Sequence, residues 1–443
     1  MEKNLIYDIN DKPKFGQLII FAIQQLLAIM AATLVVPVIV GNGMSSAAAL
    51  FGAGVGTLVY QLFTRFKSPV FLGSSFAFLN SLGVAVAYGY CGIVLGSIVA
   101  GLVYVVIAII VKAVGTAWVG KLLPPIIIGP TVALIGLSLA GAAMGDIVKA
   151  NSSALFGGYN LLGLLCGLVT FATVIICSTQ KKYQMPKLIP FILGILVGYG
   201  VAAIFTVIGI ATDNAALQMI NFAAFKEMQI FAIPDFSFIE AFKGVKDIDG
   251  AFIATIAVAY IPVAFVVFAE HIADHKNLSS IIEKDLLEEP GLHRTLLGDG
   301  VGSFAGAFFG GCPNTTYGES VGCVAITKNA SVITITTTAI MCMVISFFGP
   351  FVTFLASIPN CVMGGVCIAL YGFIAVSGLK MIQKVDLNEG KNLFVVSSIL
   401  IPGIGGLSVS FGKVTLTTIA CALILGIITN IILNRGNKGA DKE

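Results

Sequence analysis

The amino-acid sequence predicts an all-α polytopic membrane protein, and three observations lead to this prediction. Hydrophobic residues make up 57% of the 443 residues and charged residues only 11%, and the mean hydropathy is +1.00. Soluble domains carry about a quarter charged residues, so this chain could not cover a water-facing surface. The apolar residues fall into runs of about 20, which is the length that crosses a bilayer as a helix.

Fourteen apolar runs can be counted along the chain. They lie near residues 17–41, 46–64, 69–88, 91–112, 122–144, 155–178, 187–212, 251–272, 295–311, 314–327, 330–355, 359–379, 393–408 and 413–434. The third and tenth runs are irregular and the thirteenth is short. An even number of crossings places both termini on the same side of the membrane.

The basic residues support this count. With a cytoplasmic N-terminus, nineteen of the 25 Lys and Arg residues fall on the cytoplasmic side, and we assign residues 149, 226, 243, 246, 328 and 413 to the outside. Cytoplasmic loops carry an excess of Lys and Arg, so this asymmetry favours fourteen segments with both termini cytoplasmic.

The tenth run contains the stretch around which the chain is organised, CPNTTYGESVGCVAITK. Pro313 and Gly318 bracket polar residues that favour extended or turn backbone, and Glu319 falls where an apolar helix begins. Unwound backbone within a bilayer is tolerated only where it is buried in protein or lines a cavity. A half-helix starting near Glu319 would direct its free N–H groups toward such a cavity. A surface loop between two helices is the alternative.

The third run has a similar interruption, GSSFAF, at Gly73–Phe78. The third and tenth runs are seven segments apart, and an odd separation inverts the orientation, as in an inverted-topology repeat. The fifth and twelfth runs are also seven segments apart, and several of their residues match when the two halves of the chain are aligned. Their matching residues are Gly129 and Gly365, Leu134 and Leu370, and Gly136 and Gly372.

Acidic residues within the runs are few: Glu270, Asp274, Glu319 and, less clearly, Asp299. Each would cost about 2.5 kcal/mol or more facing lipid, so each should face a cavity or a partner. Glu270 and Asp274 are one helical turn apart and share a face. The alternative is a helix end that already lies among the lipid headgroups.

His271 and His275 lie beside these carboxylates and suggest metal ligands. The order of residues is EHxxDH, not HExxH, and the third histidine, His293, lies across a charged loop. We therefore predict no metal and no cofactor. An intramembrane metal-dependent enzyme that uses Glu270 with both histidines is the weakest alternative.

Other patterns have structural interpretations. Gly52, Gly54 and Gly56 lie within an apolar run with no preceding strand, which favours helix packing over dinucleotide binding. The nine cysteines include no CxxC pair and are interpreted as small buried hydrophobic residues. The net charge of +3 is thinly spread, so no nucleic-acid partner is predicted.

Three motifs resemble the nucleobase–ascorbate transporter family, also called nucleobase–cation symporters. They are PNTTYGE with its following apolar helix, GSSFAF, and AEH ahead of KDLL-x-x-PGLHR. They look most like the uracil branch of bacterial permeases, and the resemblance runs from FAIQQLLAIMAATLVVP to YGFIAVSG. It implies a secondary transporter and not an enzyme: a uracil importer of the bacterial inner (plasma) membrane, working by proton symport with alternating access.

The resemblance also implies the architecture. The fold would be a 7+7 inverted repeat with short extended strands in segments 3 and 10. Residues 1–113 (segments 1–4) and 251–356 (segments 8–11) would form a core domain. Residues 114–250 (segments 5–7) and 357–443 (segments 12–14 and a cytoplasmic tail) would form a gate domain. The implied partners are uracil, protons and the lipid bilayer, and a homodimer is a possible assembly.

Site residues follow from the same resemblance. Glu270 and Glu319 would bracket the base, and the backbone amides of Phe76 and Gly318 would complete its hydrogen bonds. Side chains lining the site or belonging to its hydrogen-bond network would be Tyr317, Ala32, Gln25, Ser75 and Tyr371.

Two departures from the family pattern affect the prediction of how transport is coupled to an ion. The usual Gln-His of the first helix is Gln24-Gln25 here, and the eighth-helix histidine falls on Asp274, with His275 one position further along. A shift of one residue turns the side chain by about 100°. We therefore predict Asp274 or Glu270 as the proton carrier. The sequence leaves H⁺ and Na⁺ open, and a xanthine or anion transporter on the same fold remains an alternative.

Overall fold

A computed structural model describes residues 5–115, 118, 124–148, 160–181, 186–187, 189–411 and 414–440. The protein is mostly helical, at 76%. The α-helices are α1 (Phe15–Val40), α2 (Ser46–Phe63), α3 (Leu79–Val86), α4 (Gly89–Val114), α5 (Pro125–Ser138), α6 (Ala140–Val148), α7 (Leu161–Thr179), α8 (Pro190–Ala211), α9 (Ser237–Lys243), α10 (Gly250–Ile282), α11 (Leu292–Gly310), α12 (Gly318–Thr327), α13 (Val332–Ile345), α14 (Gly349–Ala356), α15 (Asn360–Ile382), α16 (Gly390–Ile404) and α17 (Thr418–Ala440). The strands are β1 (Leu72–Ser74), β2 (Asn314–Thr316), β3 (Val409–Phe411) and β4 (Val414–Leu416).

Within the described residues, eight helical spans are long and apolar enough to cross a membrane. They are α1, α2, α4, α5 together with α6, α7, α8, α10 and α15. The predicted starts of the fifth, sixth and fourteenth runs, at residues 122–123, 155–159 and 413, lie outside the described residues, as does residue 188 of the seventh run. The fold is thus that of a mostly helical membrane protein, and the count of fourteen crossings remains a prediction.

The two irregular runs meet in a short buried sheet. Strands β1 and β2 pair antiparallel, with Gly73 opposite Thr315. Flanking hydrogen bonds extend the pairing, from Ser75 N–H to the carbonyl of Pro313 (2.9 Å) and from Tyr317 N–H to the carbonyl of Phe71 (3.2 Å). The extended segments predicted in the third and tenth runs are therefore present, and each satisfies the backbone groups of the other.

Glycines let the helices around this sheet approach closely. A Cβ atom on Gly52 of α2 would lie 2.3 Å from the carbonyl oxygen of Gly306 in α11. One on Gly56 would lie 2.6 Å from that of Gly302, and one on Gly54 2.6 Å from that of Ala339. The glycine-spaced run thus serves helix packing, as predicted.

The N-terminal segment packs against the end of α12. Ile6 N–H donates to the carbonyl of Lys328 at 2.7 Å, Tyr7 bridges to Asn329, and Lys284 Nζ lies 2.7 Å from Asp8 Oδ2. Lys328 is therefore at the same end of the molecule as the N-terminal segment, and its assignment to the opposite side was wrong. The reason is that β2 and α12 together return the chain to that end.

The α2–α11 contact gives a stability prediction. In Gly52→Ala the added methyl group meets a backbone carbonyl, which cannot move aside as a flexible side chain would. Overpacking of this kind costs about 1–3 kcal/mol, so we expect a lower midpoint of thermal unfolding in detergent. Gly200→Ala is the control, because a Cβ there meets nothing within 4 Å. Equal midpoints for the two variants would contradict the close approach.

Candidate functional site

A cavity of about 380 Å³ lies beside the β1–β2 pair. On one side it is bounded by the ends of the two strands with α10 and α12, and on the other by α5, α8 and α15. Its lining residues are Ser75, Phe76, Ala77, Val132, Ile135, Phe191, Glu270, Asp274, Thr315, Thr316, Tyr317, Gly318, Glu319, Leu370, Phe373, Ile374 and Ser377.

The first side of the cavity is polar and acidic. Glu270 and Asp274 project from adjacent turns of α10, and Glu319 lies in the first turn of α12. All three carboxyl side chains line the cavity and are half-buried. Thr316 of β2 donates a hydrogen bond of 2.8 Å to Asp274 Oδ2, which fixes the orientation of that carboxyl group.

Helix α12 begins at the cavity. Its first intrahelical hydrogen bond runs from Val321 N–H to the carbonyl of Tyr317, so the N–H groups of Gly318 and Glu319 have no partner within the helix. The positive end of the helix dipole lies at the same place. After the end of β1, Phe76 also lines the cavity and starts a short 3₁₀ turn that leads into α3. Two helix N-termini therefore meet at one cavity.

Tyr317 holds the start of α12 in place. Its ring occupies the space beside Gly73, where a Cβ atom would lie 2.3 Å from the ring. Its hydroxyl donates to the carbonyl of Ser74 at 2.9 Å, and the hydroxyl of Thr33 in α1 lies 3.3 Å away. A glycine at position 73 is thus required by the tyrosine that follows β2.

The second side of the cavity is apolar. Phe191 of α8 and Phe373 of α15 pack edge to face, with ring centroids 6.0 Å apart. Among the lining residues of this side, Ser377 is the polar one. This apolar wall was not predicted from the sequence, because its residues belong to ordinary apolar runs and nothing in their spacing distinguishes them. Thr315 and Thr316 were also not predicted as site residues, although they belong to the PNTTYGE motif.

The cavity brings together seven of the ten residues predicted for the site. They are Ser75, Phe76, Glu270, Asp274, Tyr317, Gly318 and Glu319. The other three do not line it. Gln25 donates to the hydroxyl of Ser320 in the first turn of α12, the ring of Tyr371 packs edge to face on Phe76 at 6.2 Å, and Ala32 is buried in α1.

The two histidines that were considered and set aside as metal ligands do not line the cavity. His271 and His275 are fully buried and bond to Asp299 and Tyr60 instead of to the cavity carboxyl groups. In the part of the chain that the structure describes, no group of three or more His, Cys, Asp or Glu side chains is arranged to hold a metal ion. Glu270 and the histidines therefore do not form the joint site that a metal-dependent enzyme would need.

Comparison with known proteins identifies the family of this chain. A family model described as "Permease family" (Xan_ur_permease) matches residues 16–412. The uracil permease of Bacillus caldolyticus is 38% identical over 432 residues, which cover 97% of this chain and 94% of that protein. The uracil permease of Bacillus subtilis is 37% identical, covering 98% and 96%, and that of Escherichia coli K12 is 33% identical, covering 96% and 93%.

Solved structures show the same fold at low sequence identity. The transmembrane domain of the cyanobacterial bicarbonate transporter BicA superposes with a TM-score of 0.65 at 15% identity, covering 96% of this chain and all of that one. SLC26A9 superposes with a TM-score of 0.66 at 10% identity, covering 95% and 66%.

The match to the permease family and its curated permease relatives indicate that this multi-pass membrane protein is a transporter and not an enzyme. The chain belongs to the permease family, whose model matches it over most of its length.

Proposed function

We propose that this permease imports uracil across the bacterial plasma membrane by proton symport with alternating access. The names of its relatives support uracil as the substrate. The observation that carries the proposal is the placement of Glu270 and Glu319 in one cavity that also receives two helix N-termini.

This arrangement complements the edge of uracil. The edge alternates N–H donors with carbonyl acceptors, and carboxylates only accept whereas free backbone N–H groups only donate. Glu270 and Glu319 would accept from the ring N–H groups. The N–H groups of Phe76 and Gly318 would donate to the ring carbonyls. The rings of Phe191 and Phe373, which line the other side of the cavity, would supply apolar contact area for the base.

Charge argues against the alternative of an anion substrate. Glu270, Asp274 and Glu319 share the cavity, and ionised carboxylates would repel an anion. The bicarbonate transporter and SLC26A9 are similar in fold alone. Xanthine presents a comparable pattern of donors and acceptors, so the uptake experiment below includes it as a competitor.

Helix packing supports the division into core and gate domains. Gly52 and Gly101 of residues 1–113 approach Gly306 and Gly300 of residues 251–356. In the other pair of segments, Gly129 approaches Gly378, and Gly167 approaches Gly365. The core would thus comprise residues 1–113 and 251–356, and the gate residues 114–250 and 357–443.

The cavity lies between these two groups, which is where a rocking motion would expose it alternately to either side. The polar side belongs to the proposed core and the apolar side to the proposed gate. The β1–β2 pairing relates two strands that each lead into a short helix, which supports the 7+7 inverted repeat.

The direct experiment is uptake of labelled uracil in cells that lack their own uracil permease. We expect saturable uptake that depends on the proton gradient and that an excess of unlabelled uracil abolishes. Xanthine and uric acid should compete weakly. Uptake of labelled xanthine with no uptake of uracil would replace the pyrimidine assignment with the purine one.

Glu319→Gln tests the proposed substrate carboxylates. The change keeps the shape but replaces an anionic acceptor with an amide, and a hydrogen bond to a charged group contributes about 1.5–3 kcal/mol. We expect the affinity for uracil, measured by calorimetry, to fall about tenfold or more. Glu227→Gln, at an exposed carboxyl, should bind like the wild type. An unchanged affinity in folded Glu319→Gln would remove Glu319 from the site.

Asp274→Asn tests the proposed proton carrier. The amide can still accept the hydrogen bond from Thr316 but can no longer gain or lose a proton. We expect concentrative, pH-dependent uptake to be largely abolished while equilibrium binding or exchange of uracil persists. Asp213→Asn, at an exposed loop position, is the control. Accumulation against a gradient with unaltered pH dependence in Asp274→Asn would instead assign the proton to Glu270.

Introduced cysteines test the proposed topology. Cysteines near Lys67, Lys182 and Lys384 should react with an impermeant maleimide only from the cytoplasm, and one near Lys226 only from outside. Residue 182 lies outside the described part of the chain. A cysteine at Lys328 should label from the cytoplasm, because that residue adjoins the N-terminal segment. Opposite labelling at any of these positions is incompatible with fourteen crossings.

A further inference from the structure

A buried polar cluster lies on the face of α10 next to the one that lines the cavity. The rings of His271 and His275 stack with centroids 4.1 Å apart, and His271 Nδ1 lies 2.7 Å from Asp299 Oδ2 of α11. All three side chains are fully buried, and none lines the cavity. The proposed uracil site does not use these residues, yet buried groups that titrate are costly unless they are paired.

The hydrogen bonds of His275 define its proton state. Its Nδ1 lies 2.8 Å from the backbone carbonyl of His271, and because a carbonyl only accepts, Nδ1 carries a hydrogen. Its Nε2 lies 2.7 Å from the hydroxyl of Tyr60, which can donate to it. The neutral ring therefore satisfies both nitrogens, and His275 anchors α10 to α2 without an additional proton.

His271 differs, because its three contacts can all be satisfied at the same time only if the pair holds one more proton. The hydroxyl of Thr295 lies 3.0 Å from the carbonyl of Leu292 and donates to it. His271 Nε2, 3.0 Å from the same hydroxyl, must then donate to the Thr295 oxygen. The 2.7 Å contact between Nδ1 and Asp299 Oδ2 needs a further proton between these two atoms. The pair then has no net charge, whether that proton resides on the ring or on the carboxyl.

Loss of this proton has a defined structural consequence. The remaining ring hydrogen would move to Nδ1, facing the ionised Asp299. Nε2 would become an acceptor, and the hydroxyl of Thr295 would turn from the Leu292 carbonyl toward it. The pair would then carry a negative charge. Among the described residues no lysine or arginine forms an ion pair with Asp299.

Strand β2 connects this pair to the cavity. The hydroxyl of Thr315 lies 3.5 Å from Asp299 Oδ2, and the next residue, Thr316, donates to Asp274 Oδ2 at 2.8 Å. We propose that His271 and Asp299 form a proton-holding pair that positions β2, and through Thr315 and Thr316 the carboxyl group of Asp274. This positioning role rests on the proposed transport function and adds a proton site outside the substrate cavity.

Other titratable groups surround the pair and belong to the same electrostatic environment. Tyr104 of α4 presents its ring 6.4 Å from that of His271. Tyr60 of α2 bonds to His275, whose ring stacks on His271. Strand β2 contributes Thr315, which does not titrate. The remaining groups are the cavity carboxyl groups Glu270 and Asp274 on the adjacent face of α10.

Histidine ¹⁵N NMR of the protein in lipid vesicles tests the pair without any substrate. The chain has three histidines, so the spectra of His271→Gln and His293→Gln assign all the signals. We expect His275 as the neutral Nδ1–H form and His271 with a hydrogen on Nε2 and a shared proton at Nδ1. In Asp299→Asn the amide oxygen only accepts and the amide NH₂ group only donates, so His271 should become a neutral ring and lose the shared-proton signal at Nδ1. Identical His271 signals in the two proteins would overturn the proposal.

Transport in the same vesicles tests the link to the cavity. We expect Asp299→Asn to keep uracil exchange while the ratio of uptake at low and high pH falls toward one. Thr295→Val, which removes the turning hydroxyl, should have the same effect, and Thr295→Ser should restore the wild-type profile. A wild-type pH profile in both Asp299→Asn and Thr295→Val would refute the coupling.

The Thr295 variants keep the test decisive if Asp299→Asn does not fold. A wild-type protein that neither binds nor transports uracil would refute the proposed function instead, and the NMR experiment would still decide whether the pair holds its proton.

Discussion

The structure depends on one constraint, which is that unwound backbone inside a membrane must have its hydrogen bonds satisfied by protein. Strands β1 and β2 meet this constraint by pairing with each other, although about 240 residues separate them along the chain. Their pairing brings the start of α12 and the turn at Phe76 to one place. The strand pairing that satisfies the unwound backbone therefore also places the free N–H groups of these two helix starts at the cavity.

Two adjacent faces of α10 carry different side chains, one toward the cavity and one toward the buried core. Residues four apart share a helix face, so Glu270 and Asp274 both reach the cavity. His271 and His275, each one position further along, share the adjacent face and are buried against α2 and α11. One helix thus presents its acidic side chains to the cavity and its histidines to a closed polar cluster. Strand β2 contacts both faces through Thr315 and Thr316.

The two sides of the cavity also differ in how tightly they are held. On the polar side, Tyr317 bonds to β1 and fills the space over Gly73, and Gln25 bonds to Ser320. These contacts fix the positions of the groups that would recognise a substrate. The apolar side consists mainly of aromatic rings and aliphatic side chains, which make no directional bonds.

The sequence by itself determined the membrane class, the half-helix that begins near Glu319 and the carboxyl groups of the cavity. These follow from local properties: composition, the placement of proline and glycine, and the cost of a charge facing lipid. Only the tertiary structure decided which helices meet. It revealed the apolar wall and the pairing of His271 with Asp299, 28 residues away. It showed that Gln25, Ala32 and Tyr371 do not line the cavity. It also showed that Lys328 lies at the same end of the molecule as the N-terminal segment. Contacts between distant segments leave no periodic signal in the chain, because any apolar helix face can pack against many others.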